Sequence, residues 1–201
     1  MIESEEIFHE VIDDNVNYVR DSISKELSRQ YFDALRDTVE WSQKYLTFNT
    51  SKIPFPRLVA WYGDEGANYY YSGIHNSPLS WTPLLHGLRC ACNMRGPPHK
   101  FNSVLLNYYR SGEDSIGYHS DDERDLVKDS TIATVSFGGP RTLCFKSKEN
   151  KKDVRKIILE PGSLLTMGGD CQKNWLHSIP KEIEMKEPRI SLTFRTVKIK
   201  K

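Results

Sequence analysis

Short segments rich in β-branched and aromatic residues follow one another from Phe101 towards the end of the chain. Gly, Pro, Asp or Asn bound these segments, which cover residues 101–109, 131–137, 141–146, 155–160, 163–167, 174–179 and 189–197. Short strands at this spacing are typical of a β-sandwich or a jelly roll. The second half of the chain is therefore predicted to form a core of one of these two kinds.

Residues 1–45 are predicted to be mostly helical. Apolar side chains recur there at every fourth position, namely Leu27, Tyr31, Leu35 and Val39. Such a stripe is typical of an amphipathic helix that packs one face on a core. We expect this part of the chain to support the predicted core.

Residues 46–82 combine many Pro and Gly residues with closely spaced aromatic side chains. This composition indicates short strands and loops, and exposed aromatic rings there could stack on nucleobases. Residues 83–95 are predicted to form a short helix that buries Leu84, Leu85 and Leu88.

The composition narrows the class of protein. The 201 residues suffice for a single core, and no apolar run approaches the ~18–20 residues that cross a membrane. The acidic N-terminus does not read as a secretory signal, so we expect an intracellular protein of the cytoplasm or nucleus. The four cysteines form no CxxC pair, and no disulfide or zinc site is expected. The net charge is +1, so nucleic-acid binding would need a local basic patch. We also expect a monomer that makes no contact with a membrane.

The sequence His119-Ser120-Asp121 is a candidate metal-binding motif. In an extended segment, side chains two residues apart project to the same side, so His119 and Asp121 could bind one ion together. His177, within the strand-like segment NWLHSI, is the candidate third ligand. Two histidines and one carboxylate form the facial triad of non-haem Fe(II) oxygenases. The alternative is a surface histidine beside a solvated acidic cluster.

The predicted strand 189–195 carries a second candidate site. Alternation places Arg189, Ser191, Thr193 and Arg195 on one face. Two arginines would be costly to bury without an anion, and their guanidinium groups suit a dicarboxylate such as 2-oxoglutarate. Asn107 and Tyr109, two residues apart on another predicted strand, could donate hydrogen bonds to the same ligand. The alternative is a solvent-facing polar side of an amphipathic strand.

Together these residues resemble the AlkB family of oxidative nucleic-acid demethylases. The matching segments, in the family's order, are PRLVAWYGDEG (56–66), YYYSG (69–73), FNSVLLNYYRSGEDSIGYHSDDE (101–123), SFGGPRTLCF (136–145), PGSLLTM (161–167), WLHSIP (175–180) and PRISLTFR (188–195). The resemblance implies an α+β, mainly β fold: a double-stranded β-helix (jelly-roll) core with N-terminal helices and a nucleotide-recognition lid. It also implies a single catalytic domain over residues 1–201, with helical support at 1–45, the lid and a helix at 46–100, and the core at 101–201.

The resemblance assigns roles residue by residue. The implied iron ligands are His119, Asp121 and His177. The implied 2-oxoglutarate ligands are Asn107, Tyr109, Arg189, Thr193 and Arg195; in the family, the C-terminal arginine lies nearer the metal. The implied substrate contacts are Tyr69, Tyr71 and Ser72 of the lid, Asp122 and Glu123 beside the base, and Phe48 near a loop that enters duplexes in some members. Arg57 is a further candidate, as a phosphate contact.

The implied activity is removal of methyl groups from bases such as N1-methyladenine and N3-methylcytosine in DNA or RNA. The reaction would use Fe(II), 2-oxoglutarate and O2 and release succinate, CO2 and formaldehyde. Members that favour duplex DNA carry basic residues after the last iron ligand, whereas this chain has Lys181-Glu182-Ile183-Glu184. We therefore expect alkylated single-stranded DNA or RNA as the substrate, with duplex DNA left open. The alternatives are a hydroxylase of a protein side chain or small molecule, and a catalytically silent nucleic-acid-binding module.

Overall fold

The computed structural model describes residues 12–48, 51–71, 74–94 and 100–199. In chain order the elements are β1 (Val16–Val19), α1 (Lys25–Thr38), β2 (Tyr45–Phe48), β3 (Ser51–Pro54), β4 (Leu58–Gly63), β5 (Tyr69–Tyr71), β6 (Ile74–Asn76), α2 (Pro83–Asn93), β7 (Ser103–Tyr109), β8 (Ile116–His119), β9 (Ile132–Gly138), β10 (Arg141–Ser147), β11 (Val154–Leu159), β12 (Leu164–Met167), α3 (Cys171–Asn174), β13 (Trp175–Ile179) and β14 (Arg189–Arg195). Within the described residues, no helix has the length and apolar character needed to cross a bilayer.

Two sheets form the body of the fold. The larger has the strand order β1-β12-β9-β14-β7-β4, and the smaller has the order β11-β10-β13-β8. Neighbouring strands of both sheets pair antiparallel. This arrangement confirms the predicted jelly-roll core and the α+β, mainly β class. It also leaves the space between the sheets as the place where inward-facing polar side chains can meet.

Strand β14 shows why the larger sheet has two buried faces. Its residues alternate between an apolar set (Ile190, Leu192 and Phe194) and a polar set, and all seven are buried. The apolar set packs in a core shared with α1 and α2, and fully burying each such side chain contributes about 1.5–3 kcal/mol. The polar set faces the opposite way, towards the smaller sheet. The solvent-facing alternative for this strand is therefore excluded.

Helix α1 begins at a serine cap and packs on the outer face of the larger sheet. The Ser24 hydroxyl accepts a hydrogen bond from the Leu27 N–H, which stabilises the first turn. The buried residues of the helix are Ser28, Phe32 and Leu35, whereas Leu27 is 39% exposed. The predicted stripe was thus wrong at its first position, because the face that meets the sheet is centred one residue further along.

The described part of the N-terminal region differs from the predicted helical support. Residues 12–45 contain one helix, not several, and Val16–Val19 instead forms edge strand β1, paired with β12. Val16 and Tyr18 bury their side chains in the core between the two sheets. This alternation of buried and exposed residues over four positions is too short to stand out in the sequence. Residues 1–11 lie outside the described residues.

Helix α2 matches its predicted position. The Thr82 hydroxyl caps it by accepting from the Leu85 N–H, and Pro83 occupies the first turn, where its missing N–H costs nothing. Leu85 and Leu88 are buried as predicted, and Leu84 packs at the edge of the same core. All four cysteines lie in described segments and are free thiols, as expected.

Candidate active site

His119 and His177 lie opposite each other on adjacent strands of the smaller sheet. Strand β8 ends at His119, which pairs in register with His177 of β13, and the two ring centroids are 4.3 Å apart. Asp121 follows two residues after His119, and its Oδ1 lies 3.8 Å from Nε2 of His119. One candidate ligand atom from each of the three residues lies within 4.8 Å of the others. The fold thus brings together the three predicted ligands from two distant parts of the chain.

Each of the two histidines can present an imidazole nitrogen to a shared ion. Nδ1 of His119 lies 2.9 Å from the Gly117 carbonyl oxygen and can donate to it, which leaves the lone pair on Nε2 free. Burial and the neighbouring His119 lower the pKa of His177 to about 3, so this ring is uncharged at neutral pH. Neutral imidazole is the form that binds a metal ion.

Asp121 is held as an ionised carboxylate. Its Oδ1 accepts a 2.7 Å hydrogen bond from Nη2 of Arg195, whereas Oδ2 is buried and has no partner among the described residues. Burial alone would raise the pKa of Asp121, but the charge and the hydrogen bond of Arg195 hold it well below its ordinary value. A buried carboxylate oxygen with nothing to accept from is costly unless a cation occupies the space beside it.

The donor set fits a ferrous ion. Two imidazoles and one carboxylate on one side of a cavity are the ligands of mononuclear non-haem Fe(II) sites, and they leave coordination positions open. The unpartnered oxygen of Asp121 and the free nitrogen of His119 are the atoms that such an ion would use. The arrangement excludes the alternative of a surface histidine beside a solvated acidic cluster, because Asp121 and His177 are buried.

An arginine-lined cavity adjoins this cluster between the two sheets. The lining of the cavity includes the three candidate ligands together with Arg189 and Arg195. Arg189 is 1% exposed and Arg195 is 3% exposed. Among the described residues, neither Nε of Arg189 nor Nε and Nη1 of Arg195 has a hydrogen-bond partner. Buried guanidinium donors without partners indicate a site for an anion.

The two arginines occupy different ends of the cavity. Arg195 contacts Asp121, and this contact keeps the pKa of Arg195 above its ordinary value although burial acts to lower it. Arg189 donates from Nη2 to the Ser136 hydroxyl at 2.9 Å. Burial, with Arg141 nearby, lowers the pKa of Arg189 to about 10, so it remains charged at neutral pH. A dicarboxylate could therefore meet one cation at the metal end and one at the far end.

Asn107, Tyr109 and Thr193 also line the cavity, as the alternation of their strands predicts. Oδ1 of Asn107 accepts a 2.8 Å hydrogen bond from Nε of Arg57. Because a guanidinium group can only donate, this bond orients the amide and leaves the Asn107 NH2 group as the donor.

Arg57 does not lie where a phosphate contact would need it. The side chain is 4% exposed, and Nη1 donates to the Ser115 carbonyl at 3.3 Å. The guanidinium also lies 5.0 Å from the centre of the Phe55 ring. Arg57 directly precedes strand β4 in the segment PRLVAWYG, and the apolar strand that follows could have indicated burial. The structure places Arg57 behind the cavity wall and not on the surface.

The candidate substrate contacts are described only in part. Tyr69 is buried, stacks on Trp61 with ring centroids 4.6 Å apart, and lies 5.6 Å from the Arg195 guanidinium. Glu123 lies beside Tyr69 and Asp121, and burial together with the charge of Asp121 raises its pKa. Asp122 is exposed, with Oδ2 3.7 Å from Nζ of Lys148. Tyr71 and Phe48 belong to strands β5 and β2, but their side chains, and Ser72 entirely, lie outside the described residues.

Two further residues support the site without a signal in the sequence. Arg141 is 1% exposed, and its guanidinium lies 5.5 Å from the centre of the Tyr109 ring. It donates hydrogen bonds to the Glu182 carboxylate and to the carbonyls of Ser111, Asp114 and Pro180. Gln172 accepts from the Asp121 N–H at 2.9 Å. Both act through tertiary contacts between segments far apart in sequence, which spacing alone does not reveal.

A jelly roll with two histidines, one aspartate and an adjoining cationic cavity defines a mononuclear non-haem iron oxygenase that uses a dicarboxylate co-substrate. A family model agrees: the chain belongs to the 2OG-Fe(II) oxygenase superfamily, whose model matches residues 15–195. Membership confirms the predicted enzyme class and the predicted use of Fe(II), 2-oxoglutarate and O2.

Curated relatives and a solved structure extend this assignment. The chain is 40% identical over 168 residues to alpha-ketoglutarate-dependent dioxygenase alkB homolog 3 of Mus musculus, covering 79% of this chain and 58% of the relative. It is 40% identical over 149 residues to DNA oxidative demethylase ALKBH2 of Bos taurus, covering 71% of this chain and 53% of the relative. The predicted AlkB resemblance is thus confirmed, although the chain spans little more than half the length of these relatives.

The fold is similar to that of a solved structure described as "The structure of OsALKBH1". The TM-score is 0.62 at 16% sequence identity, and the match covers 90% of this chain and 96% of that one. At this identity the likeness supports the jelly-roll architecture alone.

Proposed function

We propose that this chain oxidatively demethylates alkylated bases, such as N1-methyladenine and N3-methylcytosine, in single-stranded DNA or RNA. The observation that carries the proposal is the buried His119, Asp121 and His177 cluster beside a cavity with unpartnered arginine donors. The names of relatives with about 40% identity, which include a DNA oxidative demethylase, support nucleic acid as the substrate class.

In this proposal the cavity holds 2-oxoglutarate. Arg195, next to Asp121, would meet the carboxylate at the metal end, and Arg189 would meet the distal carboxylate. The Asn107 NH2 group, oriented by Arg57, and the hydroxyls of Tyr109 and Thr193 would donate the remaining hydrogen bonds. Charge-assisted bonds in a buried site are stronger than the same bonds in water, so few contacts suffice to orient the ligand.

The protein's part in the reaction is to bind, orient and exclude water. When bound, Fe(II) supplies the oxidation of an N-methyl C–H bond by O2, with 2-oxoglutarate as the co-reductant. His177 presents a neutral nitrogen, His119 presents its Nε2, Asp121 presents an anion, and Arg195 keeps that anion ionised. The enclosing strands hold the reacting carbon close to the metal and keep bulk water away. The hydroxylated methyl group would then leave the base as formaldehyde.

The preference for methylated bases is assigned to Glu123 and the tyrosines of β5. N1-methyladenine and N3-methylcytosine carry a positive charge, and a cation beside Glu123 would favour its ionised form against the burial that raises its pKa. Tyr69 is held by its stack on Trp61, and Tyr71, Ser72 and Asp122 are proposed as further contacts. A base must leave its stack to reach this site, which costs less in a single strand than in a duplex.

The structure changes one argument for the single-strand preference. Glu182 is one of two acids in the stretch after His177 that lacks the basic residues of duplex-preferring members, but it accepts 2.6 Å hydrogen bonds from Nε of Arg141 and from the Thr142 hydroxyl. Arg141 therefore balances its charge, and exposed Glu184 remains as the acid facing solvent. The single-strand preference rests on this residue and on the lower cost of extruding a base. An intracellular site of action, in the cytoplasm or nucleus, is part of the proposal, and the monomeric state remains a prediction.

The test is a demethylation assay on matched oligonucleotides. Single- and double-stranded oligonucleotides with one N1-methyladenine or N3-methylcytosine are incubated with Fe(II), 2-oxoglutarate and O2, and formaldehyde and the repaired base are quantified. We expect repair that requires both cofactors and is faster on the single strand. Succinate formation without base repair, on every oligonucleotide tried, would instead indicate a hydroxylase of a protein side chain or small molecule. Failure to form succinate at all would indicate a silent binding module.

A further inference from the structure

Gln172 lies where the two ligand-bearing segments of the metal site meet. It belongs to α3, the short helix that runs directly into β13 and its His177. Its side-chain oxygen, Oε1, accepts a 2.9 Å hydrogen bond from the backbone N–H of Asp121. The Gln172 side chain thus connects the segment that carries one histidine to the loop that carries the aspartate, beside a second link from the Ser120 hydroxyl to the Trp175 carbonyl at 3.3 Å.

In the described part of the chain, the Gln172 side chain is the recorded hydrogen-bond partner of the Asp121 N–H, and the Ser120 hydroxyl anchors the preceding residue. Asp121 lies two residues beyond the end of β8, past the strand pairing that holds His119. Its side chain is drawn towards Arg195 by the bond at Oδ1. The Gln172 amide is therefore the contact that holds the N–H of Asp121 itself, and it helps to set the direction in which Oδ2 points.

The orientation of the Gln172 amide is itself determined by its neighbours. Nε2 donates to the Met167 sulfur at 3.4 Å, so Oε1 is the atom turned towards Asp121. The Gln172 carbonyl accepts a 2.8 Å bond from Nζ of Lys148, which holds the short helix in place. Because one end of the amide contacts Met167 of β12 and the other contacts the loop at Asp121, the bond to Asp121 forms without an ion.

We propose that Gln172 is a positioning residue for the metal centre: it holds the Asp121 backbone so that the carboxylate meets the ion in the geometry that the two histidines require. Removing a partner that orients a metal ligand typically costs about 10–100-fold in metal affinity. The proposal concerns ion binding and stands on the family assignment, independently of which substrate the enzyme oxidises.

The experiment measures ion binding without substrate or turnover. Co(II) and Mn(II) are titrated into the apo protein, with the Co(II) ligand-field spectrum as the geometric readout. We expect Gln172→Leu to raise the Co(II) dissociation constant about 10–100-fold and to change the shape of the spectrum at saturation. Gln172→Glu keeps an oxygen acceptor for the same N–H, so it should lie closer to the wild type than the Leu variant does.

Lys173→Ala is the matched control, because Lys173 is an exposed neighbour on the same short helix and its Nζ contacts Asp170. It should bind Co(II) like the wild type. Unchanged affinity and spectrum in Gln172→Leu would overturn the proposal, as would an equal loss in the Lys173 control or in the Glu variant. If the Leu variant does not fold, Gln172→Asn, with an amide one methylene shorter, takes its place with the same expected loss. Normal Co(II) binding without demethylation would count against the proposed function and leave this inference standing.

Discussion

Nη2 of Arg195 lies 2.7 Å from Oδ1 of Asp121, so one cation contacts a metal ligand and also lines the co-substrate cavity. Both side chains are almost fully buried, at 4% and 1% exposure. A buried charge pair that loses one partner leaves the other uncompensated. Binding of the ion and binding of the dicarboxylate are therefore expected to depend on the same arginine.

The two arginines should differ in their mutant phenotypes. Arg189→Met is expected to raise KM for 2-oxoglutarate on the order of 10²-fold, because losing a buried charge-assisted pair costs about 2–5 kcal/mol. The Co(II) affinity of this variant should stay near that of the wild type. Arg195→Met is expected to weaken both 2-oxoglutarate and Co(II) binding, since Asp121 loses its partner. Steady-state kinetics measure KM for 2-oxoglutarate in both variants, and Co(II) titration measures their metal affinity. Equal effects of the two variants on Co(II) affinity would contradict the assignment of Arg195 to the metal end of the cavity and Arg189 to the far end.

His119→Ala should abolish turnover and leave the metal-free protein folded. The ring is partly exposed at the end of β8, so its loss leaves the cores intact. In the wild type, Mn(II) at 100 times its dissociation constant should stabilise the fold by about 2.7 kcal/mol, and this gain should vanish in the variant. Thermal unfolding with and without Mn(II) makes the measurement. Demethylation by the variant at a substantial fraction of the wild-type rate would refute the metal assignment.

Arg57→Met separates two roles for a buried arginine. If Arg57 orients Asn107, its loss should raise KM for 2-oxoglutarate about tenfold, the cost of one buried charge-assisted hydrogen bond of about 1.5 kcal/mol. If it contacted phosphate, its loss would reduce the salt dependence of oligonucleotide binding by about one counterion. We expect the first result and an unchanged salt slope. Asn107→Ala supplies the comparison, and adding it to Arg57→Met should raise KM by less than the two separate effects combined.

The sequence predicted the elements whose patterns are local and strong. Side chains alternate between the two faces of a strand, so the sequence correctly predicted which residues share a face. The cavity lining contains the polar set of Arg189–Arg195 together with Asn107 and Tyr109. Strand β1 was missed because its four residues give too short a pattern. Arg57 was misplaced because burial of a cation depends on partners, here Asn107 and Ser115, that come from later strands.

Acid stability should report the contact between Glu182 and Arg141. Burial acts to raise the pKa of Glu182, but bonds from Thr142 and Arg141 outweigh it and hold the pKa below its ordinary value of about 4.3. A carboxyl with a depressed pKa in the folded state contributes stability above the unfolded pKa, and that contribution disappears as pH falls through the folded pKa. Glu182→Gln should therefore be less stable than the wild type at pH 6, by about 1–3 kcal/mol.

The difference between the two proteins should narrow as the pH falls below about 4.3, where the unfolded wild type begins to take up the proton. Urea unfolding of the metal-free proteins from pH 6 to pH 3 gives both free energies. Glu184→Gln is the control, because Glu184 is exposed, and it should follow the wild type throughout. A constant gap between wild type and Glu182→Gln over this range would mean that the charge of Glu182 contributes nothing to folding.

The pairing of His119 with His177 makes the metal site depend on the correct register between β8 and β13. Side chains alternate along a strand, so sliding β8 by a single residue along β13 would send one ring to the opposite face and scatter the donors. A chain with the wrong register would lack the complete donor set, so ion binding can serve as a readout of correct pairing between β8 and β13.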